Sequence, residues 1–385
     1  GVVPEQFRAV ADVLAESIAS GDDLGGSVAM VIDGEPVLDF WGGYVDEARN
    51  SPWESDTIVN VWSTTKTMTA LCALVLADRG ALDLDAPVAD YWPEFVANGK
   101  DGVLVRHVLS HTSGVSAWAQ PVEQADLYDL DRSAEILAAQ EPWWEPGTAS
   151  GYHAINQGHL VGEVVRRITG RTLGQFFADE VARPLGADFH IGLDPAHDGR
   201  VSPIVPPPPL TDLPLPTGDD GEIDMDSPMI KTFTGPAVDP SMANTEAWRR
   251  AEIGAANGHG NARSVARIQS AVTNGGVASG PDGPVTLLSP ATIDRIFEVQ
   301  ASGPDLVLGV PLRFGIGYGL PVPATIPYLP ADGRLCFWGG WGGSVVINDL
   351  DRRMTFAFMM NKMANGIIGG STAERLLDAT YAALD

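Results

Sequence analysis

Three observations along the 385 residues predict an α+β fold. The chain opens with a helical pattern followed by strands. Helical patches then fill its middle, and strands followed by one helix return at its end. The economical arrangement is an antiparallel sheet built from both chain ends and flanked by helices, with a mainly helical domain inserted between. In that division residues 1–83 and 265–385 form the sheet domain and residues 84–264 the insert. A cleft between the two parts is the default position for a site.

Each element has its own signal. Residues 4–19 place Phe7, Val10, Leu14 and Ile18 on one helical face. Val28–Ile32 and Val37–Trp41 flank Asp33-Gly34, a hairpin signature. From Ser63 to about Asp78 the apolar residues Met68, Leu71, Leu74 and Val75 share a face, and Gly80 stops the helix. Residues 84–275 read as helical patches joined by long loops, with 155–168 and 261–274 the clearest. The loop 201–218 holds Pro206–Pro209 in a row, which predicts a stiff, extended segment. Residues 335–340, 343–348 and 354–360 read as successive antiparallel strands, and 372–384 as the last helix.

Composition narrows the function classes. Fifty acidic against 24 basic side chains leave a formal net charge of -26. Such a surface repels phosphate backbones and anionic lipid, so neither nucleic acid nor membrane is an expected partner. No run approaches the ~18 apolar residues that span a bilayer. No basic segment followed by an apolar one opens the chain, so a cytoplasmic location is the expectation, although the first residue is Gly and not Met. Cys72 and Cys336 lie far apart in apolar surroundings and read as buried free thiols in a reducing compartment. Neither HExxH nor CxxC occurs, and His107 and His111, four apart, lack a third ligand at useful spacing, so neither metal nor cofactor is expected. GxSxG and GxxxxGK are also absent, and Gly315-Ile316-Gly317-Tyr318-Gly319 lacks the spacing of a nucleotide loop.

Ser63-Thr64-Thr65-Lys66 is the candidate with chemical content. If a helix starts near Ser63, Ser63 and Lys66 share one face with about 4.5 Å of axial rise between them. In an apolar cleft, desolvation lowers a lysine pKa and makes the neutral amine available as a base. A helix N-terminus favours negative charge developing at the serine. This is how a Ser-Lys pair activates a nucleophile. The chain has only four lysines, Lys66, Lys100, Lys231 and Lys362, which makes a chance SxxK less common. Alone, the motif also fits a helix start followed by a surface lysine.

It is not alone. Downstream stand Gly80-Ala81-Leu82-Asp83-Leu84-Asp85-Ala86-Pro87-Val88 with Tyr91-Trp92-Pro93, then Val105-Arg106-His107-Val108-Leu109-Ser110-His111-Thr112-Ser113-Gly114. Pro146-Gly147-Thr148 leads to Tyr152, Gly258-His259-Gly260-Asn261-Ala262-Arg263 follows, and Trp338-Gly339-Gly340-Trp341-Gly342-Gly343-Ser344 closes the series. In order and coverage, roughly residues 20–365, the chain resembles the serine hydrolases related to class C β-lactamases and D-aminopeptidases, including the family VIII carboxylesterases. The resemblance implies a serine β-lactamase/penicillin-binding-protein-like fold. It implies Ser63 as the acylated nucleophile, Lys66 as the group that holds or accepts its proton, and Tyr152 as the partner phenol passing a proton to the leaving group. It implies an oxyanion hole from the backbone N–H groups of Ser63 and Trp341.

Two departures from that family shape the expected substrate. The second motif, usually Tyr-x-Asn, is Tyr152-His153-Ala154, so no side-chain amide is present to hold an acyl amide. The third motif, usually opened by Lys or His, opens with Trp338, whose indole offers an apolar face and one N–H. Trp338, His153, Gly339 and Gly340 are the expected substrate-binding residues, the two glycines letting an acyl chain lie against the strand. Trp118, Trp143 and Trp144 fall near cleft loops, as pocket lining or as packing. The expectation is a carboxylesterase acting on short, uncharged esters. A β-lactamase, D-aminopeptidase or acyltransferase is the alternative within enzymes, and a non-catalytic binding homologue the alternative outside them.

Overall fold

The computed structural model describes residues 1–209, 215–366 and 368–385. A five-stranded antiparallel sheet forms its centre, in the order Leu335–Gly339, Val345–Asp349, Met354–Met360, Gly25–Ile32, Glu35–Gly43. The two chain ends therefore meet along one pair, Gly25–Ile32 against Met354–Met360. The first hairpin turns at Asp33 and Gly34, both at positive φ (54° and 80°), the pair of left-handed residues that a tight two-residue turn requires.

Every residue of Met354–Met360 is buried, which needs cover on both faces. The helix Ala262–Thr273 packs on one face against this strand and Gly25–Ile32. On that side the Thr273 and Thr355 hydroxyls meet at 3.0 Å, and the Ser27 hydroxyl accepts from the Ala262 N–H. The helices Arg8–Ser20 and Ser371–Leu384 pack on each other over the other face. The sequence-expected boundary at residue 264 falls inside the helix Ala262–Thr273, which lies whole on the sheet.

The helix Thr65–Asp78 is buried from Thr65 to Leu76, so its apolar surface is not a stripe but the full circumference. Between it and Ala262–Thr273 the chain forms helices such as Leu130–Ala139 and Gln157–Thr169. It also forms a small four-stranded sheet, ordered Phe189–His190, His259–Gly260, Ile58–Asn60, Val201–Ser202. The sequence reading missed this sheet, because two- and three-residue strands are too short to show alternation. Of the proline-rich loop 201–218, residues 201–202 pair in that sheet, and residues 210–214 lie outside the described residues.

Candidate active site

Strand Ile58–Asn60 delivers the chain to a single 3-10 turn, Trp62–Thr64, that leads into the helix Thr65–Asp78. Trp62 takes a left-handed conformation, φ 49°, uncommon for a bulky residue. The Trp248 and Trp341 rings pack against its indole at 5.5 and 5.2 Å and hold it there. Ser63 follows directly. In a 3-10 turn residues three apart nearly eclipse, which brings Lys66 Nζ to 2.9 Å from Ser63 Oγ.

Lys66 has two further partners, the carbonyl oxygens of Ala154 at 2.7 Å and Ala255 at 3.0 Å. No carboxylate is among them. The side chain is 2% exposed, and burial holds its pKa well below the ordinary 10.5. Neither carbonyl was foreseeable, since a backbone oxygen leaves no mark in residue type.

Tyr152 stands beside Lys66, its ring centroid 4.6 Å from Nζ. Its Oη accepts from Trp338 Nε1 at 2.9 Å. Burial pushes the phenol pKa up, opposed by hydrogen bonding to Ser63 and to Trp338. The backbone around Tyr152 is held by the loop His111–Gly114. Gly151 N–H donates to His111 O at 2.9 Å, and His153 N–H donates to His111 Nδ1 at 3.0 Å. The His111 ring also packs on the Tyr152 ring at 4.8 Å.

The four residues expected to bind substrate have these surroundings. His153 is fully buried, and both ring nitrogens are used inside the protein. Nδ1 faces Gly151 O, which can only accept, so Nδ1 carries the proton and Nε2 accepts from Ser113 Oγ. His153 thus braces the Tyr152 loop through both ring nitrogens. Trp338 is 3% exposed and packs against Tyr152 and Phe314, so its indole N–H serves Tyr152 and its face serves the core. Gly339 and Gly340 are glycines because the chain itself is close. A Cβ on Gly339 would lie 2.8 Å from Gly369 N and 2.9 Å from Ser344 O, and one on Gly340 would overlap Val61 O and Ser344 Oγ.

That tight approach sets the 340–344 turn against Val61 and Trp62. Ser344 Oγ donates to Val61 O at 2.8 Å, so in its 2.9 Å contact with Thr64 Oγ1 the threonine is the donor. The segments 61–64 and 340–344 are thereby stitched together. Among the described residues the N–H groups of Ser63 and Trp341 have no hydrogen-bond acceptor.

The remaining tryptophans divide. Trp118 is buried against His159. Trp144 donates to Ala149 O at 2.9 Å and sits against Gly151. Trp143 is partly exposed below Lys231 Nζ, 5.5 Å from its ring centroid. His107 accepts from Leu104 N–H through Nδ1 and packs under Gly147, away from His111's contacts. Cys72 and Cys336 are free, buried thiols, and burial pushes Cys336 up to about 12.

A buried serine, a desolvated lysine on it, a phenol beside both and two open backbone N–H groups make up a serine hydrolase constellation of the SxxK type. The Beta-lactamase family model matches residues 10–380, and the chain belongs to that family. It is 34% identical over 373 residues to Esterase/beta-lactamase LipL of Mycobacterium tuberculosis, covering 96% of this chain and 84% of that protein. Among solved structures it resembles a family VIII carboxylesterase at TM-score 0.90 and 38% identity, covering 100% of this chain and 99% of the other. It also resembles a penicillin-binding protein homologue from Caulobacter crescentus at TM-score 0.89 and 36% identity, with the same coverage. No helix among the described residues is long and apolar enough to cross a membrane.

Proposed function

We propose that the protein is a serine carboxylesterase that hydrolyses short-chain, uncharged esters through an acyl-enzyme on Ser63. One observation carries the reading: among the described residues, Lys66 Nζ hydrogen-bonds Ser63 Oγ and two carbonyl oxygens and no other group. A neutral amine has two N–H groups and one lone pair. The carbonyls of Ala154 and Ala255 can only accept, so they take both N–H groups and turn the lone pair to the Ser63 hydroxyl. Desolvation of Lys66 favours that neutral form.

An indole N–H only donates, so Tyr152 Oη accepts from Trp338 and keeps its own proton for the leaving group of the ester. In acylation Lys66 takes the Ser63 proton and Oγ attacks the ester carbonyl carbon. The oxyanion is held by the N–H groups of Ser63 and Trp341, each worth about 3 kcal/mol in such sites. Tyr152 gives its proton to the leaving alkoxide and recovers one from Lys66. Water then attacks the acyl-enzyme by the reverse route and Ser63 regains its proton.

The substrate class follows from what surrounds Ser63. Trp338 supplies no cation for a β-lactam or peptide carboxylate, Ala154 supplies no amide, and the net charge of -26 disfavours anions. The helical stretch 84–264, which brings Tyr152, acts in this account as an inserted domain over the sheet. Buried free thiols suit a reducing compartment such as the cytoplasm. A second reading, β-lactam hydrolysis, draws on the double name of the LipL relative. Steady-state kinetics separates them: kcat/KM for p-nitrophenyl acetate or butyrate should exceed that for nitrocefin by orders of magnitude. Equal turnover of nitrocefin would overturn the ester assignment.

A further inference from the structure

Asp305 is a buried carboxylate that the mechanism above does not use. It is 2% exposed, and among the described residues no lysine, arginine or histidine forms an ion pair with it. Four donors converge on it instead. Oδ1 accepts from Tyr152 N–H at 3.0 Å and from the N–H groups of Val307 and Leu308, both at 2.9 Å, and Oδ2 accepts from Ser150 Oγ at 2.8 Å. Leu306 N–H adds a backbone bond to Ser150 O at 2.8 Å. Asp305 lies in the turn joining the strands Ala301–Pro304 and Pro311–Phe314, roughly 150 residues further along the chain than Tyr152.

A turn needs no buried anion to close, and an anion without a cation costs free energy unless strong donors surround it. Two of the four donors belong to the Ser150–Tyr152 segment and not to the turn. We propose that Asp305 is a positioning residue for Tyr152, tying the backbone that carries the phenol to the 305–310 turn and setting where Oη stands between Trp338 and Ser63. The inference rests on the assignment of Ser63 and Tyr152 above. With His111 and Ser113 bracing residues 151 and 153 from one side, Asp305 completes the hold from the other. Its negative charge also disfavours the phenolate, in keeping with a Tyr152 that donates a proton.

The test reads the rate at which a fluorophosphonate labels Ser63, followed by intact mass, in Asp305→Ala, Asp305→Asn and each of these combined with Tyr152→Phe. Asp305→Ala should label at least tenfold more slowly with a Tm within a few degrees of the parent. Asp305→Asn keeps an acceptor oxygen but loses the charge that strengthens it, and should label about threefold more slowly. Neither substitution should slow labelling further once Tyr152 is Phe. Labelling at the parental rate by a folded Asp305 variant, or an undiminished slowing in the Tyr152→Phe background, would overturn the proposal. If Asp305→Ala does not fold, Asp305→Asn decides on the same two criteria. A parent protein that takes no label would instead defeat the assignment of Ser63, a result separable from any difference among variants.

Discussion

At the scale of single residues, the chemistry turns on which groups can donate and which can only accept. Lys66 is enclosed by one hydroxyl and two carbonyls, and Tyr152 is fixed by a donor-only indole. Trp338 therefore has a role that a cation at its position would perform differently: it orients the phenol without adding charge. Trp338→Phe keeps the aromatic packing and removes the N–H. A lost hydrogen bond in a dry site costs about 1–2 kcal/mol, so kcat on p-nitrophenyl butyrate should fall roughly tenfold with KM little changed. An unchanged kcat in steady-state assays would mean the indole only packs. Ser63 and Lys66 were legible in the sequence because three-residue spacing at a helix start leaves few geometries open. Tyr152 was legible only through the order of motifs. The face that Trp338 presents was not, because Tyr152, His111 and Phe314 come from separate elements and together decide it. Asp305 was invisible for a similar reason, since an aspartate in a turn ordinarily reads as solvated.

At the scale of elements, the site is made where the 340–344 turn presses on the 61–64 turn. Gly340 is required there by contact with Val61 and Ser344 rather than by a substrate. Gly340→Ala should force the two segments apart, costing about 1–3 kcal/mol of stability as overpacking does, and should displace the Trp341 N–H from Ser63. Denaturant unfolding with parallel esterase assays checks this: stability and kcat fall together, and an Ala variant with parental values of both would refute the contact. Strands Met354–Met360 and Val345–Asp349 were readable because a continuous apolar run in a two-face-covered sheet has a clear length and composition. The small sheet around Ile58–Asn60 carries no such run, yet it is what aims the chain into Trp62.

At the scale of the whole molecule, the fold buries histidines as neutral groups. Burial pulls His153 and His259 down to about 3 and His159 down to about 4, from an ordinary value of 6.5. Below pH 6.5 the unfolded chain then binds protons that the folded chain does not, so stability is full above that pH and is lost as pH falls toward 3. Each such group contributes a slope of at most about 1.4 kcal/mol per pH unit. Melting temperatures should therefore decline steadily between pH 6.5 and 4.5, and a flat profile over that range would show that these side chains are not held neutral. Of four lysines, Lys66 and Lys100 are buried, and so are the acids Asp23, Glu163, Asp305 and Asp349, so burial leaves the surface strongly acidic.

All three scales meet in one claim, that an acyl group rests on Ser63 during turnover. Acid-quenched intact-mass spectrometry after mixing with a slowly deacylated ester tests it directly. One added acyl mass is expected, assigned to Ser63 by peptide mapping and absent from Ser63→Ala. Ester turnover without any adduct, or an adduct that persists in Ser63→Ala, would contradict it.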